Sequence, residues 1–65
     1  MKEKRYEIAV EIIKVALKYD KDLSIAIENH GDWIADEACN NLIEDADPDE
    51  VWEIYENLKK HLRLA

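Results

Sequence analysis

Phenylalanine and threonine are absent from this 65-residue chain, and glycine, proline, cysteine and serine occur once each, as Gly31, Pro48, Cys39 and Ser24. A single glycine and a single proline exclude an all-β domain, which needs turn residues at short intervals. A single cysteine excludes an internal disulfide framework and suits a reducing compartment. Ser24 is the lone candidate for a hydroxyl nucleophile, and the chain has no Gly-rich phosphate loop, nucleophile elbow or dinucleotide fingerprint. Carboxylates abound, but acid–base chemistry needs one of them in an apolar pocket with a raised pKa, and a chain this short has little room for one. The expectation is a protein with no catalytic residues and no cofactor.

The most informative absence is of positive charge. Between Lys21 and Lys59 there is no lysine or arginine, while the same stretch holds twelve carboxylates: Asp22, Glu28, Asp32, Asp36, Glu37, Glu44, Asp45, Asp47, Asp49, Glu50, Glu53 and Glu56. The flanks are mildly basic, so the net charge of −7 conceals a more acidic middle. A one-signed field repels itself and disfavours the compact state. Such a field is repelled by nucleic acid and by anionic membrane surfaces, so neither is an expected partner. At 48% apolar residues the chain is too rich in hydrophobic groups for a disordered acidic tail. The charged N-terminal stretch lacks the apolar core of a signal peptide, and no apolar run approaches a membrane span. A single cytoplasmic domain over residues 1–65 is expected.

Metal sites fare poorly. Asp45, Asp47, Asp49 and Glu56 imitate the first, third, fifth and twelfth positions of a calcium loop, but the sixth, which requires glycine, is Glu50, and Pro48 interrupts the loop. His30, Cys39 and His61 exhaust the soft ligands and have no local zinc spacing. His30 closes an apolar stripe, His61 suits a helix C-terminus and Cys39 suits a buried thiol, so no metal site is expected.

The hydrophobic pattern predicts an all-α fold, a small compact bundle of about four short helices. Helix one spans residues 3 to about 19. Its charged residues Glu3, Lys4, Glu7, Glu11, Lys14 and Lys18 fall in one stripe, and nearly everything else is apolar. That apolar arc is wider than one packing partner needs. Asp20 or Asp22 caps a second helix, about 23–30, which Gly31 ends as a left-handed stop. Asp32 then caps a third, about 33–45, with apolar positions Ile34, Ala35, Ala38, Cys39, Leu42 and Ile43. Asp47-Pro48-Asp49-Glu50 is the strongest local signal, with Asp47 as N-cap, Pro48 in the first turn and Glu50 as the reciprocal arm of a capping box. The helix it opens runs about 48–63. Its acidic first turn and its Lys59, Lys60, His61 and Arg63 complement the helix dipole.

Trp33 and Trp52 both fall off the apolar centre of their helices, amid charge. Tryptophan at such a rim is what a binding hot spot requires, although Trp33 also suits an aromatic folded back over a helix end. Helical carboxylates three or four residues apart stand about 5–6 Å from one another, close to the spacing of phosphates along a strand of nucleic acid. In size, charge and helicity the whole chain is similar to the small acidic proteins that phages encode to disarm host defences. These include nucleic-acid-mimicking anti-restriction and anti-CRISPR proteins. The resemblance implies an inhibitor that masks a basic, nucleic-acid-binding protein surface by electrostatic and steric occlusion. The residues expected to bind that partner are Asp32, Trp33, Asp36, Glu37, Glu44, Asp45, Asp47, Asp49, Glu50, Trp52, Glu53 and Glu56. The alternative is an assembly module that forms a homodimer through the over-wide face of helix one, and that Ile12→Glu or Val15→Glu would break.

Overall fold

The computed structural model describes residues 2–42, 44 and 46–62, with Lys2 and Glu3 described by their backbone alone. These residues are all-α: α1 (Lys2–Tyr19), α2 (Leu23–Asn41) and α3 (Pro48–His61). Three helices therefore stand where four were expected. The three residues between α1 and α2 are too few for anything but an antiparallel neighbour. Contacts between Glu11 and Asn41, and between Lys18 and Glu37, confirm that direction. Arg5 near the start of α1 reaches Glu50 near the start of α3, so α3 runs alongside α1 and closes an up-down-up bundle. The longest dimension, 28 Å, matches the roughly 27 Å of an 18-residue helix.

Two of the helix starts are the predicted ones. Asp22 adopts extended backbone and its Oδ1 accepts from the Ile25 amide at 3.2 Å, while Asp20 Oδ1 accepts from the Asp22 amide at 2.9 Å. Asp47 Oδ1 accepts from the Asp49 amide at 2.8 Å and Pro48 opens α3. Glu50 is drawn elsewhere than the expected capping box. Its carboxylate lies 3.6 Å from the Arg5 guanidinium, an ionic partner on α1. Of the predicted positions here, Ile43, Asp45 and Arg63 lie outside the described residues.

The correction concerns Gly31. It does not end a helix, and Asp32 does not begin one: α2 continues through both for nineteen residues. The backbone at Gly31 is helical, not left-handed, so its conformation did not select glycine. Space did. A Cβ on Gly31 would collide with the Tyr55 hydroxyl and stand 3.3 Å from Tyr55 Cζ. The glycine is a notch in α2 into which α3 sets an aromatic ring. Ala35 and Ala38, the next small residues along the helix, are fully buried, so the same side of α2 stays narrow for two more turns.

The core is one cluster of Ile8, Ile12, Val15, Ala16, Ala26, Ile27, Ile34, Ala35, Ala38, Val51, Ile54 and Tyr55, flanked by Leu23, Cys39, Leu42, Trp52, Leu58 and Leu62. With no phenylalanine, its bulk comes from β-branched residues and one tyrosine. Ile12 and Val15 are fully buried, which corrects their assignment to a self-association face: a glutamate at either would disrupt the core. The outward apolar positions of α1 are others, namely Tyr6, Val10, Ile13 and Leu17.

Gly31→Ala supplies the sharpest test of this packing. A helix interior ordinarily gains up to about 1 kcal/mol from Gly→Ala, whereas overpacking costs about 1–3 kcal/mol. Urea denaturation of Gly31→Ala should show a net loss. Removing the colliding hydroxyl in Gly31→Ala/Tyr55→Phe should recover part of it, and a stabilised single variant would refute the notch.

Candidate functional site

The cation-free tract does not fold into a single acidic face. Its carboxylates divide by the side of the helix on which they stand, and α1 supplies counter-charge to several of them. Arg5 sits 3.6 Å from Glu50 and 3.7 Å from Glu53. Lys18 Nζ donates to Glu37 Oε2 at 3.1 Å, and the Tyr19 hydroxyl donates to Glu37 Oε1 at 3.0 Å. Lys59, the first residue past the tract, lies 3.8 Å from Glu56 and 5.4 Å from the centre of the Tyr55 ring. Asp47 is occupied as a helix cap. Exposed ion pairs of this kind contribute about 0–1 kcal/mol each, so their larger effect is to flatten the local potential.

Glu37 shows the consequence. Its carboxyl is held below the ordinary glutamate range, chiefly by the hydrogen bond from Lys18 and next by that from Tyr19. The Tyr19 phenol is raised in turn, first by the same bond to Glu37. Tyr19 also stacks on His30, with centroids 4.9 Å apart and planes 25° from parallel. Lys18, Tyr19, His30 and Glu37 thus form a polar seam between α1 and α2, and Glu37 belongs to that seam more than to any outward field. Asn41 Nδ2, bonded to Glu11 Oε2 at 2.7 Å, extends the seam towards the far end of α2.

What remains outward lies on α2. Ile25, Asn29, Asp32, Asp36 and Asn40 recur at helical spacing on its solvent side, and all are exposed. Trp33 stands beside Asp32 on that face with 69% of its surface in solvent. Nothing folds it back, because it sits mid-helix and not at the end that the four-helix expectation gave it. Asp32 and Asp36, one turn apart, flank it with no cation within ion-pairing distance among the described residues. Ile25 is 44% exposed two turns away, so the face carries two apolar side chains among amides and carboxylates. Glu44 and Asp49 are exposed in and just after the α2–α3 link, and Asp45 lies outside the described residues.

Trp52 went the other way. It is half-buried against the core and meets the Tyr55 ring edge-on at 5.6 Å and 89°. Its indole covers the core margin between α3 and its neighbours, which the rim position on the helical wheel allowed but did not decide. Beside Trp33, an open cleft of about 400 Å³ runs between α2 and α3, lined by Ile27, Glu28, Gly31, Asp32, Tyr55 and Lys59 among others. The Tyr55 phenol at its floor is raised by burial first, then by the negative charge of Asp32 and Glu56. Lys59 breaks the acidic character of this cleft. Sequence spacing within 22–58 gave no sign of it, because the cation enters from outside the tract.

The remaining chemistry is quiet. Cys39 is half-buried, and burial followed by the charge of Asp36 pushes its thiol up, towards the protonated, unreactive form. Among the described residues no cluster of histidine, cysteine and carboxylates has metal-binding geometry, and no helix is long and apolar enough to cross a membrane. No family model matches the chain, and no curated protein or solved structure matches it.

Two measurements check this partition. In carboxyl-detected NMR titration Glu37 should titrate below an ordinary glutamate, and Lys18→Met should move it upward. Because its folded pKa is depressed, the seam's stabilisation is present above the unfolded glutamate pKa and is lost as pH falls through the lower folded value. In fluorescence, Trp52→Phe (leaving Trp33) should emit near the solvent-exposed limit and be quenched readily by iodide. Trp33→Phe (leaving Trp52) should emit to the blue and resist quenching. Equal quenching of the two would contradict the placement.

Proposed function

We propose that this protein is a small acidic binding protein that masks a basic, nucleic-acid-binding surface on a protein partner, using the outward face of α2. The observation that carries this reading is Trp33, 69% exposed beside Asp32 and one turn from Asp36. A domain with only two tryptophans ordinarily keeps both in its core, and a solvated indole among carboxylates is an anchor awaiting a partner. Its ring offers a face to arginine, the side chain that a carboxylate pair also attracts.

Asp32 and Asp36 stand in for two successive phosphates, and Glu44 and Asp49 extend the charge beyond them. Carboxylates fixed on a helix lose less freedom on docking than those of a disordered tail. Association is steered by charge and weakened by salt, and the bound domain blocks the partner's groove. No chemical step is involved. The likeness in size, charge and helicity to phage anti-restriction and anti-CRISPR proteins supports the same reading, with Glu37, Glu50, Glu53 and Glu56 now secondary because each already has a cation beside it.

The test is capture from a bacterial lysate at low salt, followed by affinity measurement on the purified captured protein. Affinity should fall at least tenfold between about 50 mM and about 500 mM salt, and double-stranded DNA should compete. Asp32→Lys/Asp36→Lys should abolish binding, Trp33→Ala should weaken it about tenfold or more, and Glu50→Lys/Glu53→Lys should have the smaller effect. Affinity indifferent to salt, or unchanged in the α2 variants, would end this proposal.

A further inference from the structure

The side of α1 turned away from the bundle is apolar. Tyr6, Val10, Ile13 and Leu17 follow one another at intervals of four, three and four residues, the spacing of a coiled-coil seam. The core residues Ile8, Ile12, Val15 and Ala16 occupy the opposite side, so among the described residues no element packs over the seam. Tyr6 is 71% and Leu17 48% exposed, with Val10 and Ile13 half-buried between them. A shallow groove of about 370 Å³ runs beside it, lined by Tyr6, Glu7, Val10, Glu11, Lys14 and Leu42.

We infer that this seam pairs with the same seam of a second copy, the two α1 helices lying antiparallel. The charges flanking it select that occupant and that direction. Glu7 and Lys14 are both exposed and stand one heptad apart on the same flank, each directly following a seam residue. In an antiparallel pair like flanks meet, so Glu7 of each copy faces Lys14 of the other, and the contact satisfies itself twice about a two-fold axis. In a parallel pair that flank would face the opposite one, which at the corresponding positions carries only Ala9 and Ala16. The rest of the surface points the same way. α1 is the one helix with a net positive charge, so docking through it leaves the acidic α2 and α3 faces apart, whereas self-contact through the outward face of α2 or the first turn of α3 sets carboxylates against carboxylates. With four seam residues per copy the interface falls below the standard of about 800 Å² per partner, so the pairing is a weak, concentration-dependent one.

This pairing is independent of the masking reading, since it uses the far side of α1 and leaves Trp33 free. Sedimentation equilibrium over about 5–500 μM should show a mass rising from 7.6 kDa towards twice that value. Val10→Lys/Leu17→Lys should stay monomeric throughout while keeping the wild-type helical circular dichroism, because neither side chain belongs to the core. Glu7→Lys and Lys14→Glu should each weaken association at least tenfold, and the double exchange Glu7→Lys/Lys14→Glu should restore it. A chain monomeric at the highest concentration would overturn the dimer. So would a dimer indifferent to the seam variants, and failure of the double exchange to restore association would overturn the antiparallel arrangement.

Discussion

The approach of Tyr55 to Gly31 is the contact on which the architecture turns. It fixes how closely α3 crosses α2, and it explains how a helix runs through the chain's only glycine without ending there. A glycine within a helix costs about 1 kcal/mol relative to alanine. Here the cost is offset by a tyrosine ring lying against the backbone and perpendicular to Trp52. Because α2 is continuous, Trp33 is an interior residue of a nineteen-residue helix, and its direction follows from helical phase. The position of the candidate anchor is thus a consequence of packing two residues away on the other side of the same helix.

A second constraint is electrostatic. Twelve carboxylates over 37 residues would oppose folding if they faced one another across the bundle. The three helices avoid this by placing α1, the net basic element, against both acidic ones. Arg5 serves the start of α3 and Lys18 the C-terminal part of α2, so the cations missing from the tract arrive through tertiary structure. Each pair is worth little alone. Their collective effect is to decide where negative charge is left over, and that is the solvent side of α2 with the neighbouring α2–α3 link.

Much of this was legible in the residues. The all-α class, the extent of α1 and the caps at Asp22 and Asp47 followed from local chemistry, because a cap is made within three residues of itself. The excess apolar width of helix one was also visible, although the wheel could not say which part of the arc was core. Ile12 and Val15 and the Tyr6–Leu17 seam look alike until α2 and α3 are placed. What was illegible depended on residues far apart in the chain. Gly31 reads as a stop unless Tyr55 is known to fill the space beside it, and Glu50 reads as a capping arm unless Arg5 is known to be near. Trp33 and Trp52 have similar phase relative to their own helices and opposite fates. One overhangs solvent and the other overhangs a neighbour, a difference set by bundle geometry and not by periodicity.

The same geometry separates the two surfaces that remain unsatisfied. A three-helix bundle gives each helix two neighbours and one open side, and the open sides of α1 and α2 differ in kind. That of α2 is charged with two apolar insertions, a composition suited to a transient, salt-sensitive partner of opposite charge. That of α1 is an apolar seam with balanced flanks, a composition suited to its own image. Burial of the α1 seam in a dimer would supplement a core that in a 65-residue chain covers only about 60% of the unfolded surface. It would also present two acidic faces on one particle, so that a basic partner with repeated sites would be held by both at an effective concentration set by the rigid α1 pair. Self-association and masking would then be successive uses of one arrangement, the first adding stability and valence to the second.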